Sequence, residues 1–533
     1  MVRLLTTVAA VRCYLEKHCA TLQQTQGVAQ QVGLVPTMGA LHEGHLSLIR
    51  RARRENQIVV VSIFVNPLQF GPSEDFHEYP RDLECDRQLC EQLGVDVIFA
   101  PSAQQMYGQT SVEESQATTR VVPPQSMTQV LCGRTRVGHF EGVATVVTKL
   151  LQIVQPQRAY FGQKDGQQLA IIRRLVADLH LSTEIVSCPI VREASGLALS
   201  SRNQYLQPQQ REKAALLYGS LRRATQQFHR QREHRNQEHA PHAQSMIDTV
   251  RSFLAAEPEI QLEYVELVHP ETLAPLETVE NRGMLAIAAW IGSVRLIDNI
   301  LLENFRRPIV AIDGPAGAGK STVARRVAEQ LNLLYLDTGA MYRAVTWLVL
   351  DSGVNIDDEP AVAEVASQCR IDLIPHSDWV EVQVNGCDVT QAIRQSEVTN
   401  SVSTVAAQPA VRQMLVQQQK RYGYRGGLVA EGRDIGTHVF PEAQLKIFLT
   451  ASVKERARRR QQEMQQQGEN QIDLEMLEQA IAKRDRQDSS RAVAPLCQAA
   501  DAIEIQTDGL TVEGVINRIL DCYHRVLAVS SHV

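Results

Sequence analysis

The sequence lacks the features that mark secreted, zinc-binding or membrane proteins. Its 10 cysteines form no C-x-x-C pair, and the closest spacings are Cys13 to Cys19 and Cys85 to Cys90, so they predict neither a zinc site nor a disulfide framework. No run approaches the roughly 20 apolar residues of a membrane helix. We therefore expect a cytoplasmic protein with no targeting segment and no membrane anchor.

Positive charge and aromatic side chains are also scarce. Residues 1 to 303 contain 29 Lys and Arg against 31 Asp and Glu, the rest contain 25 against 29, and aromatic residues make up 5% of the chain. Neither half has the excess of cations that displaces counterions from a polyanion. We therefore exclude a broad nucleic-acid surface and expect phosphate contacts only at local sites.

Length and patterning indicate a globular α/β protein. With 533 residues, of which 44% are hydrophobic, the chain should hold three or four compact units grouped into two halves. Runs rich in Val and Ile alternate with amphipathic stretches, which predicts parallel sheets. A junction near residue 303 gives domains at 1–302, with a smaller lobe from about 192, and at 303–533.

The stretch Gln226 to Gln244 is dense in Gln, His and Arg, and we interpret it as a solvated loop or a helix end. Histidine-rich tracts can bind metal, but these histidines have no acidic or cysteine partners nearby. A polar surface is therefore the favoured interpretation for His229, His234, His239 and His242.

A phosphate-binding loop opens the second half. The predicted strand 309–312 leads into Gly314-Pro315-Ala316-Gly317-Ala318-Gly319-Lys320-Ser321-Thr322, and a helical pattern continues to Leu331. This is a P-loop in its required setting of strand, loop and helix. Its backbone N–H groups close around phosphate oxygens, Lys320 reaches the terminal phosphates as a catalytic cation, and Ser321 ligates Mg²⁺. We expect ATP bound with Mg²⁺ and no tightly bound organic cofactor.

Arginines supply a second anionic site in the same half. They occur in three motifs, 337–343, 431–437 and 484–491, and in the run Arg456 to Arg460. Phosphoryl transfer depends mostly on positioning and on neutralising charge, so cations around a P-loop suit it. A solvated helix face is the alternative interpretation, mainly for Arg456 to Arg460.

In these motifs taken together, residues 308–533 resemble the bacterial-type cytidylate kinases. The resemblance implies a P-loop nucleoside monophosphate kinase fold with a strand-rich CMP-binding insert at 371–389 and a lid over 456–491. Residues implied to read the cytosine of CMP or dCMP are Ser403, Arg412 and Asp434. Those implied to hold the phosphate and sugar are Thr338, Tyr342, Arg343, Arg433, Arg484, Asp488 and Arg491. An Asp accepts from the exocyclic amine of cytosine and repels the carbonyl of uracil, so specificity for C is expected.

A histidine pair marks the first half. An apolar run, 32–35, leads into Pro36-Thr37-Met38-Gly39-Ala40-Leu41-His42-Glu43-Gly44-His45 and then into an amphipathic helix. His42 and His45 stand three apart and project from one side of the first helical turn. There they can donate to phosphate oxygens and stabilise charge on an attacked α-phosphorus, which is the chemistry of adenylyl transfer. Zinc ligation and purely structural histidines are the alternatives, but no third metal ligand follows at a typical distance.

Three further segments of this half carry amides, cations or hydroxyls, namely 61–71, 162–168 and 199–203. Together with the histidine pair they resemble those of the pantothenate synthetases, over residues 1 to 302. The resemblance implies a Rossmann-like nucleotidyltransferase fold of the HxGH type with a small C-terminal lobe, and a homodimer. Residues implied to contact ATP are 38–45, Gly162, Gln163, Lys164, Asp165, Val191, Leu199, Ser200, Ser201 and Arg202, with His45, His42 and Lys164 catalytic. Those implied to hold pantoate are Gln69 and Gln168, and Gln69 also meets β-alanine.

Two positions depart from the second family's pattern. Leu199 stands where Met is expected, and Gly166 stands where an aromatic residue is usual. Leu for Met conserves volume, whereas a missing ring at 166 should loosen the wall beside Gln168. We therefore expect Gly166→Phe to tighten pantoate binding.

The two resemblances predict one chain with two activities. The first half would condense pantoate with β-alanine through pantoyl adenylate, and the second would phosphorylate CMP and dCMP, both with MgATP. One alternative keeps the enzyme classes and changes the substrates to those of another nucleotidyltransferase and of a UMP or other small-molecule kinase. The other makes the P-loop half a nucleotide-sensing switch for the first half. The partners expected are small molecules, with no nucleic acid and no membrane.

Overall fold

A computed structural model describes residues 2–26, 31–71, 76, 78–108, 118–234, 241–303, 308–376, 379–424, 426–466, 473–489 and 495–530. The chain divides into two compact units, Met1–Asn304 and Phe305–Val533. Within the described ranges, no helix is both long and apolar enough to span a membrane. All ten cysteines are free thiols.

The first unit is built on a parallel sheet. Its strands, as far as the structure describes them, are β1 (Arg3–Leu5), β2 (Val32–Thr37), β3 (Ile58–Ile63), β4 (Val97–Phe99), β5 (Arg158–Gly162) and β6 (Glu184–Cys188), in the order β1-β4-β3-β2-β5-β6. Residues such as Leu34 and Val60 are fully buried, because helices cover both faces of a parallel sheet. The predicted alternation of strands and helices is confirmed.

Helices connect these strands and cover the sheet. They are α1 (Val8–Gln26), α2 (Glu43–Glu55), α3 (Leu83–Gln92), α4 (Ala103–Tyr107), α5 (Gln125–Thr128), α6 (His139–Val154) and α7 (Gly166–Asp178). The α6 backbone comes so close to the loop after β3 that a Cβ on Gly142 would lie 2.2 Å from the carbonyl oxygen of Leu68. That close approach fixes the loop that carries Gln69.

A smaller lobe completes the first unit. It contains α8 (Pro208–His234), α9 (Ala243–Leu254) and an antiparallel sheet of β7 (Ile260–Val268), β8 (Arg282–Ile291) and β9 (Val294–Glu303) in that order. Helix α8 includes residues 226–234, where fully buried Phe228 continues its apolar face. The solvated-loop interpretation of this stretch is therefore wrong for 226–234, and the helix-end interpretation holds. Residues 235–240, including His239, lie outside the described residues.

The second unit contains a parallel sheet, a three-stranded insert and their covering helices. In the described chain the parallel sheet has the order β11-β15-β10-β16-β17, formed by β10 (Val310–Asp313), β11 (Leu334–Asp337), β15 (Leu428–Gly432), β16 (Leu445–Thr450) and β17 (Ile503–Gln506). The helices are α10 (Lys320–Leu331), α11 (Thr338–Asp351), α12 (Glu359–Ser367), α13 (Ser396–Ala407), α14 (Pro409–Gly423), α15 (Val453–Gln466), α16 (Leu474–Ser489) and α17 (Val512–Ser530).

The predicted insert is present as an antiparallel sheet. It consists of β12 (Ile371–Pro375), β13 (Val380–Val384) and β14 (Cys387–Asp388). Asn385 and Gly386 join the last two strands with φ angles of 51° and 85°. Positive φ at both positions is the condition for a tight hairpin turn, which is why Asn-Gly predicted it.

Candidate functional sites

The polar segments predicted in the first unit lie at one edge of its sheet. Segment 38–45 follows β2, Gln69 follows β3, and segment 162–165 follows β5. These three strands are neighbours in the order β3-β2-β5. Because the carboxyl ends of parallel strands share an edge, the fold brings the three segments together as a ligand site would require.

A buried carboxylate fixes the loop after β2. Asp86 on α3 is 2% exposed, and its oxygens accept the N–H groups of Ala40 at 3.0 Å and Leu41 at 2.7 Å. Burial raises the pKa of Asp86, while these two N–H groups oppose the rise. Gly39 has a φ of +84°, and a Cβ there would lie 2.9 Å from Asp86 Oδ2, so glycine is required. The loop therefore enters α2 in one arrangement.

The two histidines cap the N-terminus of α2. His42 Nδ1 accepts from the N–H of Gly44 at 3.1 Å, and His45 Nδ1 accepts from the N–H of His42 at 3.4 Å. The ring centroids are 4.1 Å apart. Because each Nδ1 is an acceptor, the proton of each neutral ring lies on Nε2. Both Nε2–H groups are therefore donors for a ligand at this helix end.

The charge of the pair is set by its surroundings. Burial, with the Lys164 ammonium nearby, lowers the pKa of His42 to about 4. Burial, His42 and Lys164 together lower the pKa of His45 to about 3. Both imidazoles are thus neutral at pH 7, and the positive charge beside them belongs to Lys164. The Glu43 side chain between them is exposed and pairs with Arg50 at the helix surface.

An amide network holds Gln69 beside this helix end. Gln69 Nε2 donates to Met38 Sδ at 2.9 Å, and Gln69 Oε1 accepts from Asn66 Nδ2 at 3.2 Å. The backbone carbonyl oxygen of Gln69 accepts from His139 Nδ1 at 2.7 Å. Tyr107 in turn donates to Asn66 Oδ1 at 2.7 Å. The network fixes Gln69 next to Met38, which links the β3 segment to the β2 segment.

A cavity of about 760 Å³ adjoins these segments, between the sheet edge and the smaller lobe. The predicted residues that line it are Lys164, Asp165, Gln168, Ser200 and Arg202. Leu199 donates its N–H to the Val191 carbonyl at 3.0 Å, and a Cβ on Gly44 would lie 3.8 Å from Leu199 Cβ. Segment 199–202 is thereby brought to the first turn of α2. The cavity thus gathers segments 162–168 and 199–202 of the predicted set, whereas segment 38–45 and Gln69 lie beside these segments and are not part of the cavity lining.

The space at Gly166 contradicts our expectation for a ring at this position. Gly166 is buried, and a Cβ there would lie 2.5 Å from Met284 Sδ and 3.3 Å from Asn299 Nδ2. The Met284 thioether therefore fills the space that we expected to be vacant. The wall beside Gln168 is already packed.

The predicted P-loop joins β10 to α10. Gly314, Gly317 and Gly319 have φ angles of +148°, +76° and +87°, which close the loop. Lys320 is buried, and its Nζ donates to the Pro315 carbonyl at 2.8 Å. Burial, with Arg433 nearby, lowers the pKa of Lys320 to about 7. A phosphate beside the ammonium would raise this pKa, so binding of a polyphosphate is coupled to protonation.

Acidic groups at the strand ends surround this loop. Glu431, at the end of β15, accepts from Ser321 Oγ at 2.9 Å and from the hydroxyl of Tyr335. Burial and the nearby Asp337 carboxylate raise the pKa of Glu431. Asp313, at the end of β10, accepts from the N–H groups of Ile435 at 2.8 Å and Gly436 at 2.7 Å. Ser321 and Glu431 thus place hard oxygen ligands, which suit Mg²⁺, side by side at the P-loop.

The predicted CMP residues form two ion pairs. Arg412 and Asp434 are 3% and 4% exposed and pair with each other, and Arg412 also donates to the Ala406 carbonyl at 3.1 Å. Arg433 Nε donates to Asp488 Oδ2 at 3.1 Å. Arg433 and Asp434 directly follow β15, Arg412 lies on α14, and Asp488 lies in the last turn of α16.

Four more of the predicted CMP residues are Thr338, Tyr342, Arg343 and Ser403, which lie on helices α11 and α13. Arg343 Nη2 is 3.4 Å from Asp337 Oδ2, and Thr338 Oγ1 donates to the Glu431 carbonyl at 2.6 Å. The Tyr342 ring lies under Arg412, with 5.4 Å from the guanidinium carbon to the ring centroid. Ser403 is half-buried on α13.

Two predicted residues are outside what can be described. Arg491 lies beyond the described residues, and only the backbone of Arg484, within α16, is described.

The solvated-face alternative is wrong for Arg456, which is buried and donates to Ala316 O and Asp485 Oδ1, both at 3.0 Å. It connects the P-loop to α16. Arg458 fits that alternative, because its side chain is exposed and pairs with Glu455.

Several residues of these sites were missing from the sequence predictions. Asp313 and Glu431 carry a signal, because each is an acidic residue at the end of an apolar strand. Asp86 carries none, because its contact with the loop after β2 joins separate elements of the fold. In the described part of the chain, no group of three or more His, Cys, Asp and Glu residues is arranged to hold a metal ion by itself.

Two protein families match successive parts of the chain. Pantoate-beta-alanine ligase matches residues 3–301, and cytidylate kinase matches residues 310–525. The bifunctional pantoate ligase/cytidylate kinase of Nostoc is 59% identical over 541 residues, which covers 99% of each chain. The protein of the same description from Synechocystis is 53% identical over 530 residues, with 98% of this chain and 99% of the relative covered.

A solved structure resembles the first part. The pantothenate synthetase of Thermus thermophilus is 45% identical and gives a TM-score of 0.50, with 56% of this chain and 99% of that chain covered. The matched share corresponds to the first of the two compact units.

Histidine NMR tests the protonation of the pair at α2. We expect His42 and His45 to be neutral Nε2–H tautomers at pH 6, because both Nδ1 atoms accept backbone hydrogen bonds and burial disfavours the cations. Long-range ¹H–¹⁵N spectra of ¹⁵N-histidine protein measure this, with His42→Gln and His45→Gln for assignment. Titration of either ring near its ordinary pKa of about 6.5 would contradict the assignment.

The pH dependence of kcat/KM for MgATP in CMP phosphorylation tests Lys320. This ratio reports groups of the free enzyme, so it should be highest below pH 7 and fall as pH rises from 7 to 9, when Lys320 loses its proton. The decline should approach about tenfold per pH unit. Lys320→Arg keeps its charge and should give a flat profile, whereas a flat profile of the unaltered chain would show that Lys320 is fully protonated throughout.

Pantoate kinetics test the correction at Gly166. We expect Gly166→Phe to raise the KM for pantoate, because the ring displaces Met284 and the neighbouring Asn299 amide. Gly166→Ala is the smaller matched change and should have a smaller effect. A lowered KM for the Phe variant would restore the interpretation drawn from the sequence.

Proposed function

Because the chain belongs to the bifunctional pantoate ligase/cytidylate kinase family, we propose that residues 1–302 join pantoate to β-alanine and that residues 303–533 phosphorylate CMP and dCMP, each with ATP. The observation that carries the proposal is the presence of two helix N-termini built for phosphate, with different side chains around each. One has two neutral imidazoles and Lys164, and the other has a P-loop with Lys320.

In the ligase half, ATP lies along segments 38–45, 162–165 and 199–202. The Nε2–H groups of His42 and His45 donate to phosphate oxygens, and the Lys164 ammonium neutralises the charge that grows in the transition state. A carboxylate oxygen of pantoate attacks the α-phosphorus, and the bond from that phosphorus to the bridging oxygen breaks. Pyrophosphate leaves with the electron pair, and pantoyl adenylate remains.

The second ligase step consumes this intermediate. The unprotonated amine of β-alanine attacks the acyl carbon, the bond to the AMP oxygen breaks, and the amide loses its extra proton to solvent. Gln69, fixed by Asn66 and Met38, and Gln168 on the cavity wall hold pantoate, and Gln69 also orients the amine. No charged base is required at the acyl carbon, because the adenylate is already activated.

In the kinase half, the P-loop amides and Lys320 hold the β- and γ-phosphates. A phosphate oxygen of CMP attacks the γ-phosphorus, and ADP leaves with the electron pair of the broken bond. That oxygen is already a nucleophile, so no general base is needed. Arg343 and Arg433 hold the CMP phosphate, and Arg456 fixes α16 against the P-loop through Asp485 and Ala316.

The donors at the P-loop fit a magnesium ion. The ion would be held by the Ser321 hydroxyl and, directly or through water, by the Glu431 carboxylate. When bound with ATP it supplies positive charge at the β- and γ-phosphate oxygens. The Ser321 hydroxyl can keep donating its proton to Glu431 while a lone pair of its oxygen faces the ion.

Cytosine recognition follows from the buried Arg412–Asp434 pair. The Arg412 guanidinium donates to Asp434 Oδ2 and leaves Oδ1 open to a base. The carboxylate is then an acceptor for the exocyclic amine of cytosine, whereas the carbonyl at this position of uracil would face a negative charge. Ser403 on α13 completes the base site.

Product analysis of two single-residue variants tests the double assignment. Pantoate, β-alanine and ATP should yield AMP, and CMP with ATP should yield ADP and CDP. His45→Ala should remove AMP formation and leave CDP formation near normal, because it takes away a donor at the first helix end only. Lys320→Ala should do the converse. Joint loss of both activities in either folded variant would contradict two separate sites.

The CMP/UMP ratio of an Asp434 variant tests base recognition. Asp434→Asn replaces the acceptor with an amide that can also donate, so we expect kcat/KM for CMP to fall and the preference for CMP over UMP to narrow by roughly tenfold or more. Asp521→Asn, the same change at an exposed residue of α17, serves as the control. An unaltered ratio would remove Asp434 from base recognition.

A further inference from the structure

The edge strand β9 of the smaller lobe contacts two of the segments that line the cavity. Adjacent residues make the contacts, and Asp298 and Asn299 are 4% and 3% exposed. Successive side chains of a strand point to opposite faces, so these two leave β9 in opposite directions. Asn299 reaches segment 162–165, and Asp298 reaches segment 191–202.

Asn299 holds the turn that carries Lys164. Its Nδ2 donates to the carbonyl oxygens of Gln163 and Lys164, both at 2.9 Å. A flipped amide would place Oδ1 against two carbonyl oxygens, so only one orientation is favourable. Because one amide bridges consecutive carbonyls, it restrains the backbone from which the Lys164 side chain departs.

Asp298 holds the other segment through an ion pair. Its oxygens accept from Arg192 Nη1 at 2.6 Å and Nη2 at 2.9 Å, and Arg192 also donates to the Gly196 carbonyl at 3.1 Å. The Arg192 guanidinium lies 3.7 Å from the centroid of the Tyr218 ring. Arg192 also forms an isolated antiparallel bridge with Ala198, and the chain continues from there into Ser200–Arg202.

The ion pair of Arg192 with Asp298 is better suited to fixing position than to adding stability. Desolvation cancels most of the attraction of a buried ion pair, so such a pair adds little net stability over apolar residues of the same volume. The two parallel hydrogen bonds of the pair do fix the position of Arg192 relative to β9. Lys164, Ser200 and Arg202 line the same cavity as Asp298 and Asn299. The two contacts therefore set the spacing of groups that face one ligand.

We propose that Asp298 and Asn299 are positioning residues for the ligase reaction, which set the separation of Lys164 from Ser200–Arg202 across bound ATP. The inference rests on the proposed function, in which both segments hold ATP. A misplacement of about 1 Å at reacting groups can cost roughly a hundredfold in rate. Strand β9 thus contributes to the reaction through the two segments that it holds.

The first arm of the test compares Asn299→Ala with a matched control, Asn56→Ala, in the full chain. Asn56 is also buried, and its Nδ2 donates to Ala52 O at 2.8 Å and Tyr160 OH at 2.7 Å. Like Asn299, its Oδ1 has no hydrogen-bond partner in the structure as described. Asn56→Ala should lower the thermal midpoint and leave ligase kcat unchanged, whereas Asn299→Ala should lower kcat by roughly ten- to a hundredfold.

A double-mutant cycle with Lys164→Ala separates positioning from general damage. If Asn299 acts through Lys164, Asn299→Ala should have little further effect on AMP formation once Lys164 is absent. If Asn299→Ala does not fold, Asn299→Ser, whose hydroxyl can donate to one carbonyl, should give an intermediate loss that also vanishes in the Lys164→Ala background. CDP formation by the same chains should stay unchanged.

Asp298→Asn tests the second contact. It keeps the shape and one acceptor oxygen but removes the charge, so we expect the KM for ATP in the ligase reaction to rise several-fold with kcat less affected.

The outcomes distinguish the inference from the proposed function. Equal effects of Asn299→Ala and Asn56→Ala on kcat, or an additive cycle, would overturn the role of Asn299 and leave the ligase assignment intact. An unchanged KM for ATP in Asp298→Asn would overturn the role of Asp298. Normal AMP formation in Lys164→Ala would overturn the assignment of Lys164 and the inference with it.

Discussion

Both halves of the chain depend on the same electrostatic constraint, which is a helix N-terminus held at the carboxyl end of a central parallel strand. The unpaired N–H groups and the dipole of such a helix favour phosphate oxygens. In the first unit β2 leads into α2, and in the second β10 leads into α10. A buried carboxylate beside each strand end fixes loop backbone, Asp86 in one case and Asp313 in the other. In the first unit this fixes the loop that enters α2. In the second unit it fixes residues 435 and 436 beside the P-loop, and the positive φ angles of Gly314, Gly317 and Gly319 close the P-loop itself.

The side chains around the two helix ends then determine which phosphorus is presented. In the function that we propose, neutral imidazoles with Lys164 place weak donors and one cation around the α-phosphate and leave room for a carboxylate nucleophile. In the same proposal the P-loop encloses the β- and γ-phosphates and leaves only the terminal phosphorus open. The same constraint therefore supports a ligase that releases AMP and a kinase that releases ADP.

The two sites differ in how protonation tunes them. At α2, burial and Lys164 lower the pKa of both histidines, so the rings are neutral and offer hydrogen bonds without charge. At α10, burial lowers the pKa of Lys320 to about 7, so a phosphate bound beside it would strengthen its charge. Burial acts in the same direction at both sites, because it lowers the pKa of a cationic side chain. It leaves the two imidazoles neutral and brings Lys320 close to the pH at which it titrates.

Much of this arrangement could be predicted from local sequence. The P-loop, the His42–His45 spacing and the Asn385–Gly386 turn each need particular residue types at fixed offsets, so their chemistry is readable in a short window. The separate strands β2, β3 and β5 were also readable as apolar runs. Their adjacency placed Met38, Gln69 and Lys164 together, which follows from parallel pairing.

The rest could not be predicted, because it arises from contacts between distant parts of the chain. The histidine tautomers depend on backbone N–H groups whose directions appear only in the folded turn. The packing of Met284 on Gly166 joins β8 to α7. The hydrogen bonds from Asn299 to the carbonyl oxygens of Gln163 and Lys164 join β9 to the turn after β5. No offset along the sequence encodes such pairs, so the expectation of empty space at residue 166 was reversed.

The most direct measurement of the central claim is a crystal structure of the full chain with a non-hydrolysable ATP analogue and Mg²⁺. The account predicts two analogue molecules per chain. One should have its α-phosphate within hydrogen-bond distance of His45 Nε2, and the other should have its γ-phosphate on Lys320 Nζ. A single occupied cleft, or an analogue in the first unit whose phosphates point away from the opening turn of α2, would contradict it.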